Sequence, residues 1–174
     1  MTETSTGARI ALAAEGSANV ATGLPVLDHL VTELARRARF RLTLEVGPGG
    51  PDDAVVAAGR ALGAAIGERL SDPGAAGAGW ALVPADEALA SAALERDPNP
   101  RLVTNVDFSD QRVGGLGTDV ASRFLQELAN AAALNVHVRL MEGTDPQHVL
   151  AAIFKSVGAA LGQACRPIPE AKEQ

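Results

Sequence analysis

The sequence predicts an α/β fold, a two-layer α+β sandwich made of two similar halves. Three observations predict it. Two short segments alternate apolar and polar residues, Phe40-Arg41-Leu42-Thr43-Leu44-Glu45-Val46 and Leu134-Asn135-Val136-His137-Val138-Arg139-Leu140. Period-2 alternation puts one face of a strand in a core and the other in solvent. Each segment is followed by a loop rich in Gly, Pro and Asp, and then by a long Ala-rich helical stretch. Finally, the copies keep step. Glu33-Leu34-Ala35 lies 94 residues before Glu127-Leu128-Ala129, and Leu62-Gly63-Ala64-Ala65-Ile66 lies 95 residues before Val157-Gly158-Ala159-Ala160-Leu161. Such a match marks a duplicated helix–strand–loop–helix unit. Helices covering one face of a sheet bury its apolar side.

In chain order, the first helix is expected to begin near His29, inside Thr22-Gly23-Leu24-Pro25-Val26-Leu27-Asp28-His29. The first strand follows at 40–46, and its long helix runs from about Asp53 to Leu70. Residues 72–79 are rich in Gly and Ala and read as a loop between the halves, which divide as 1–78 and 79–174. Strands at 88–94 and 102–108 are expected to form a hairpin turning at Asp97-Pro98-Asn99-Pro100. The second strand, 134–140, precedes a helix from about Pro146 to Ala164, and 167–174 reads as an extended tail.

Composition narrows the function classes. Aromatic residues are 3% of the chain, which leaves little for stacking on nucleic-acid bases. A net charge of −6 disfavours nucleic acid and anionic membranes as partners. Cys165 is the only cysteine, so no internal disulfide forms. The N-terminus shows no signal-peptide pattern, and no apolar run approaches the ~20 residues of a membrane helix. A cytoplasmic location is expected.

Three histidines are candidates for chemistry: His29 at a helix start, His137 on a strand, and His148 near the start of the last helix. The plain alternative is three ordinary surface histidines. Asp52 and Asp53 are hard oxygen donors that could hold a metal, or helix caps that accept backbone N–H groups. The cap is the favoured reading.

The chain resembles the imidazoleglycerol-phosphate dehydratase family of histidine biosynthesis. The resemblance lies in Thr22-Gly23-Leu24-Pro25 with Leu27-Asp28-His29, in Pro84-Ala85-Asp86-Glu87-Ala88-Leu89, in Gln111-Arg112-Val113-Gly114, and in Gly143-Thr144-Asp145-Pro146-Gln147-His148 followed by Phe154-Lys155. It implies a duplicated α/β fold, trimers or a hollow shell built from them, and two-manganese sites between subunits. The family's two His-His-x-x-Glu motifs open the long helices. Residues i and i+4 share a helix face there and the second histidine turns away from it.

Both motifs are altered. The first falls on Asp52, Asp53 and Val56, and the second on Gln147, His148 and Ala151. Two further ligand positions match His29 and His137. The resemblance thus leaves His29, His137, His148, Asp52 and Asp53 as remnant metal positions. It leaves Arg112, Lys155 and Lys172 as remnant phosphate positions. The family's remaining phosphate arginine falls on Asn99, and its serine pair on Glu170 and Ala171.

These changes point to a family member with impaired or no catalysis that keeps the scaffold and a homo-oligomeric assembly, or joins a true dehydratase paralog. No cofactor is expected, and manganese if any metal is kept. The alternatives are a metal-dependent dehydratase of imidazole glycerol phosphate, and a single-metal enzyme acting on another small anionic substrate.

Overall fold

The computed structural model describes residues 5–108, 112–113 and 116–170. The first half holds β1 (Gly7–Leu12), β2 (Ser17–Ala21), α1 (Pro25–Ala38), β3 (Phe40–Glu45) and α2 (Pro51–Leu70). Then come β4 (Ala78–Ala85), β5 (Ala88–Arg96), β6 (Arg101–Thr104), and the two-residue strands β7 (Arg112–Val113) and β8 (Leu116–Gly117). The chain closes with α3 (Thr118–Ala132), β9 (Leu134–Glu142) and α4 (Pro146–Ala164).

The duplication is visible in strand pairing. In the first sheet β3 is central, antiparallel to β1 and parallel to β2. In the second sheet β9 is antiparallel to β5 and parallel to β6, and β4 adds an outer strand beside β5. Strand β3 buries Phe40, Leu42 and Leu44 and exposes Arg41, Thr43 and Glu45, as its alternation requires.

The expected hairpin of 88–94 with 102–108 does not form. β5 and β6 both lie beside β9, on opposite sides of it, and the hairpin is β4–β5, turning at Asp86 and Glu87. The reason is that β4 begins at Ala78, inside the stretch read as a loop; its alternating burial gives β5 an adjacent antiparallel partner. Asn99 lies in an Asx turn, its N–H donating to Asp97 Oδ1 at 2.8 Å.

Each half carries its helices on one face of its sheet, and the helix layers then meet. α1 packs on α4, and α2 on α3. Glycines set the approach. A Cβ on Gly63 would stand 2.5 Å from the Leu128 carbonyl oxygen, and one on Gly162 would stand 2.5 Å from that of Ala38. Leu128 repeats Leu34, and Gly162 repeats Gly67. Helices α1 and α3 both end on a left-handed residue, Arg39 (φ 54°) and Ala133 (φ 55°), again 94 positions apart.

Arg166 fastens the far end of the α1–α4 pair. Its guanidinium donates to the carbonyls of Ala38, Gly162, Ala13 and Arg39 at 2.7–3.1 Å.

Candidate functional site

The N-terminal ends of α1 and α4 frame an open pocket of about 700 Å³. His29 and Glu33 of α1, Asp86 of the β4–β5 turn, and Gln147, His148 and Lys155 of α4 line it. His29 and Glu33 are four residues apart, so they share a face of α1. His148, Ala151 and Lys155 follow the same logic on α4, at i, i+3 and i+7.

The start of α1 is fixed by a local network. Leu24 offers no side-chain cap, and Pro25 opens the helix. Asp28 reaches back instead, accepting from the Thr22 N–H at 3.0 Å and the Thr22 hydroxyl at 2.5 Å. The Thr22 oxygen in turn accepts from the Leu24 N–H at 3.2 Å. Thr22 is buried, so this hydrogen bonding holds the Thr22–Leu24 turn, and with it the helix end that carries His29.

The start of α4 is capped by Asp145, which accepts from the Gln147 N–H at 2.9 Å. His148 stands among three carboxylates. Its Nδ1 lies 2.5 Å from Glu87 Oε2, its Nε2 lies 3.3 Å from Asp86 Oδ2, and Asp145 Oδ2 is 3.9 Å from Nδ1. The other Glu87 oxygen accepts from the Asp145 N–H at 3.1 Å. That backbone donor, Glu87's own N–H and the imidazole together hold the Glu87 carboxyl down at about 2. The hydrogen bond that the imidazole donates to Glu87 raises His148 above its usual value, against the opposing effect of burial. Both groups face solvent, so screening limits the energy of the pair.

Lys155 Nζ is 3.8 Å from Glu33 Oε2, too long for a close hydrogen bond, so the ammonium keeps donors for another acceptor. The duplication repeats this pair as Arg60 and Glu127, in contact at 2.9 Å.

The residues singled out in the sequence fall in several places. His29, His148 and Lys155 meet in the α1–α4 pocket, and Val113 of β7 reaches its edge. Asp52 lines a second pocket of about 380 Å³ at the starts of α2 and α3, together with Asp119, and pairs with Arg123 at 3.9 Å. That pocket is the duplicate of the first, with Arg123 where His29 stands and Asp53 where His148 stands. The favoured cap reading of Asp52 and Asp53 is corrected: Gly50 is the N-cap without a side-chain bond, and both aspartates lie inside the first turn. There they complement the helix dipole. His137 is exposed on the outer face of the second sheet, beside Asn135 and Glu95.

Of the remaining phosphate positions, Arg112 lies on β7 with its side chain outside the described residues, and Lys172 lies outside them altogether. Glu170 is exposed at their end.

Sequence reasoning gave no role to Asp28, Glu33, Asp86 or Glu87. The dipeptide Asp86-Glu87 had a weak signal in its turn-forming aspartate, which adopts φ 50°.

Comparison with known proteins agrees with this architecture. A model of the imidazoleglycerol-phosphate dehydratase family matches residues 22–161. The imidazoleglycerol-phosphate dehydratase of Pelobacter propionicus is 36% identical over 158 residues, covering 88% of this chain and 81% of that one. That of Chloroflexus aurantiacus is 34% identical over 173 residues, covering 94% and 82%. The crystal structure of the Staphylococcus aureus imidazoleglycerol-phosphate dehydratase superposes with a TM-score of 0.82 at 26% identity, covering 91% of this chain and 92% of that one. With the matched region spanning both duplicated units, the chain belongs to the imidazoleglycerol-phosphate dehydratase family.

Proposed function

We propose that this chain acts in histidine biosynthesis as a dehydratase of imidazole glycerol phosphate, with the α1–α4 pocket as its substrate site. The observation that carries this reading is the meeting of His29, His148 and Lys155 in one cavity of about 700 Å³ on a chain that matches the family over 22–161. Lys155 offers a cation for a phosphate. His148, held by Glu87, offers a nitrogen that can carry or release a proton. The proposed halves, 1–78 and 79–174, build the pocket jointly, since α1 comes from one and α4 from the other.

The family's two-manganese centre does not fit the residues present. Val56 and Ala151, at two ligand positions of the resemblance, have no donor atom, and Gln147 is a neutral amide. Among the described residues of one chain, no group of three or more His, Cys, Asp or Glu side chains is placed to hold a metal ion. What this chain's own residues do is bind the anionic end, orient the imidazole end and hold a proton at His148.

The same donor set favours a second reading, a family member that keeps the fold and binds without turnover, alone or with a full dehydratase. A homo-oligomer is part of either reading. The exposed Trp80, Leu82, Val103 and Met141 on the second sheet support it. A cytoplasmic place is proposed with it, and among the described residues no helix is long and apolar enough to cross a membrane.

Purified chain is incubated with imidazole glycerol phosphate, with and without manganese, and product and binding are followed together. Product that disappears in His148→Ala supports the dehydratase. Binding without product supports the second reading, and no binding removes both.

A further inference from the structure

Glu87 joins the β4–β5 turn to the start of α4 through both of its oxygens. Oε1 accepts from the Asp145 N–H at 3.1 Å, and Oε2 lies 2.5 Å from His148 Nδ1. The first contact ties the carboxylate to the backbone of the helix cap. The second then fixes the imidazole relative to that backbone, because only Nδ1 reaches the carboxylate in this ring orientation. Nε2 is turned away from Glu87 and lies 3.3 Å from Oδ2 of Asp86, an exposed carboxylate that lines the pocket together with His148.

We propose that Glu87 is a positioning residue: it holds His148 by Nδ1 so that Nε2 is the nitrogen presented to the ligand. The choice of which ring nitrogen works is set by the hydrogen bond that the other one makes. With Nδ1–H donating to Glu87, a neutral His148 carries its lone pair on Nε2, the reverse of the tautomer that free neutral imidazole side chains favour in water. Asp145 cannot replace Glu87 in this role. It stands 3.9 Å from Nδ1, and its own Oδ1 is occupied by the Gln147 N–H. Asp86 cannot either, since it faces the other nitrogen. The inference rests on the reading that the α1–α4 pocket binds substrate, but its geometric part can be tested without any ligand.

Long-range nitrogen–proton NMR spectra of the full chain, recorded at a pH above the midpoint that a titration of His148 itself gives, report the tautomer of that ring. The His148 signals are assigned with His148→Asn. The expected result is an Nδ1–H tautomer for His148 in the natural sequence, a shift toward Nε2–H in Glu87→Ala, and unchanged His29 and His137 signals. Calorimetric affinity for imidazole glycerol phosphate should fall ~10-fold in Glu87→Ala, the size of one hydrogen bond to a charged group. Glu87→Gln keeps one acceptor oxygen and should recover part of both effects. It also decides the matter if Glu87→Ala does not fold.

An Nε2–H tautomer in the natural sequence, or one that ignores substitution of Glu87, overturns the proposal. So does a tautomer that moves while affinity stays the same. If the tautomer behaves as expected but the natural chain binds no imidazole glycerol phosphate, Glu87 still positions His148 and it is the substrate reading that fails.

Discussion

The glycine seam between α2 and α3 gives a matched pair of substitutions in one helix. Gly63 and Gly67 are one turn apart and both face α3. A Cβ at 63 would stand 2.5 Å from the Leu128 carbonyl oxygen, 2.8 Å from the Ala131 Cβ and 3.1 Å from the Leu128 Cα. A Cβ at 67 would meet its nearest atoms at 3.6 Å, ordinary van der Waals contact. Both changes to alanine gain the same helix propensity, about 1 kcal/mol. Only Gly63→Ala must move backbone, and overpacking of that kind costs about 1–3 kcal/mol. Propensity cancels in the comparison, so Gly67→Ala should be the more stable of the two by about 1–3 kcal/mol. Gly67→Ala should also gain up to about 1 kcal/mol over the natural sequence.

For a chain of this size that difference is about 2–12 °C in melting temperature. The assay is thermal unfolding of both variants at one protomer concentration, because assembly would otherwise shift the midpoint. Equal midpoints, or Gly63→Ala melting higher, would refute the claim that close backbone approach sets the helix pairing. Gly162→Ala, which meets the Ala38 carbonyl at 2.5 Å in the duplicate seam, should behave like Gly63→Ala.

The Glu87–His148 pair should give a pH signature. Glu87 is depressed to about 2 from 4.5, so its contribution is present above 4.5 and lost as pH falls through about 2. His148 is raised above 6.5, so its contribution is complete below 6.5 and lost as pH climbs through its folded value. The pair therefore contributes fully between 4.5 and 6.5, and an NMR titration of His148 should move down toward 6.5 in Glu87→Gln; no movement would contradict the assignment of cause. Arg166→Ala should lower stability in urea unfolding by at least the ~1.5–3 kcal/mol of one charge-assisted hydrogen bond, with Arg166→Lys restoring only part, because lysine lacks the planar fork. Cys165 is buried and its thiol is pushed up to about 11 by that burial, so a thiol reagent at neutral pH should label it only on unfolding; rapid labelling of the folded chain would disprove the burial.

The parts of this fold that the sequence announces are those carried by a period. The alternation at 40–46 and 134–140, and the Ala-rich helices after them, predict β3, β9, α2 and α4 to within two residues at each end. The 94- and 95-residue offsets extend to features no pattern scan weighs, such as the left-handed ends at Arg39 and Ala133. Strand order is different, since it depends on long-range partners. Leu102 reads as a strand residue, but only the position of β9 shows that it pairs with Val136 in parallel rather than folding back on β5. The site divides in the same way. His29, His148 and Lys155 stand out by residue type. Glu87 and Asp28 are legible only once the turn and helix ends bring their carboxylates to Asp145 and Thr22. An ordinary Asp or Glu in a loop carries no mark of what it will accept.

Dehydratase activity is tested most directly by formation of dehydrated product from imidazole glycerol phosphate by the purified chain, measured with and without manganese beside His148→Ala. Product is expected from the natural sequence and none from His148→Ala, with both proteins folded. Substrate that binds in the pocket and is never dehydrated would contradict that expectation, and would leave this chain a binding member of its family.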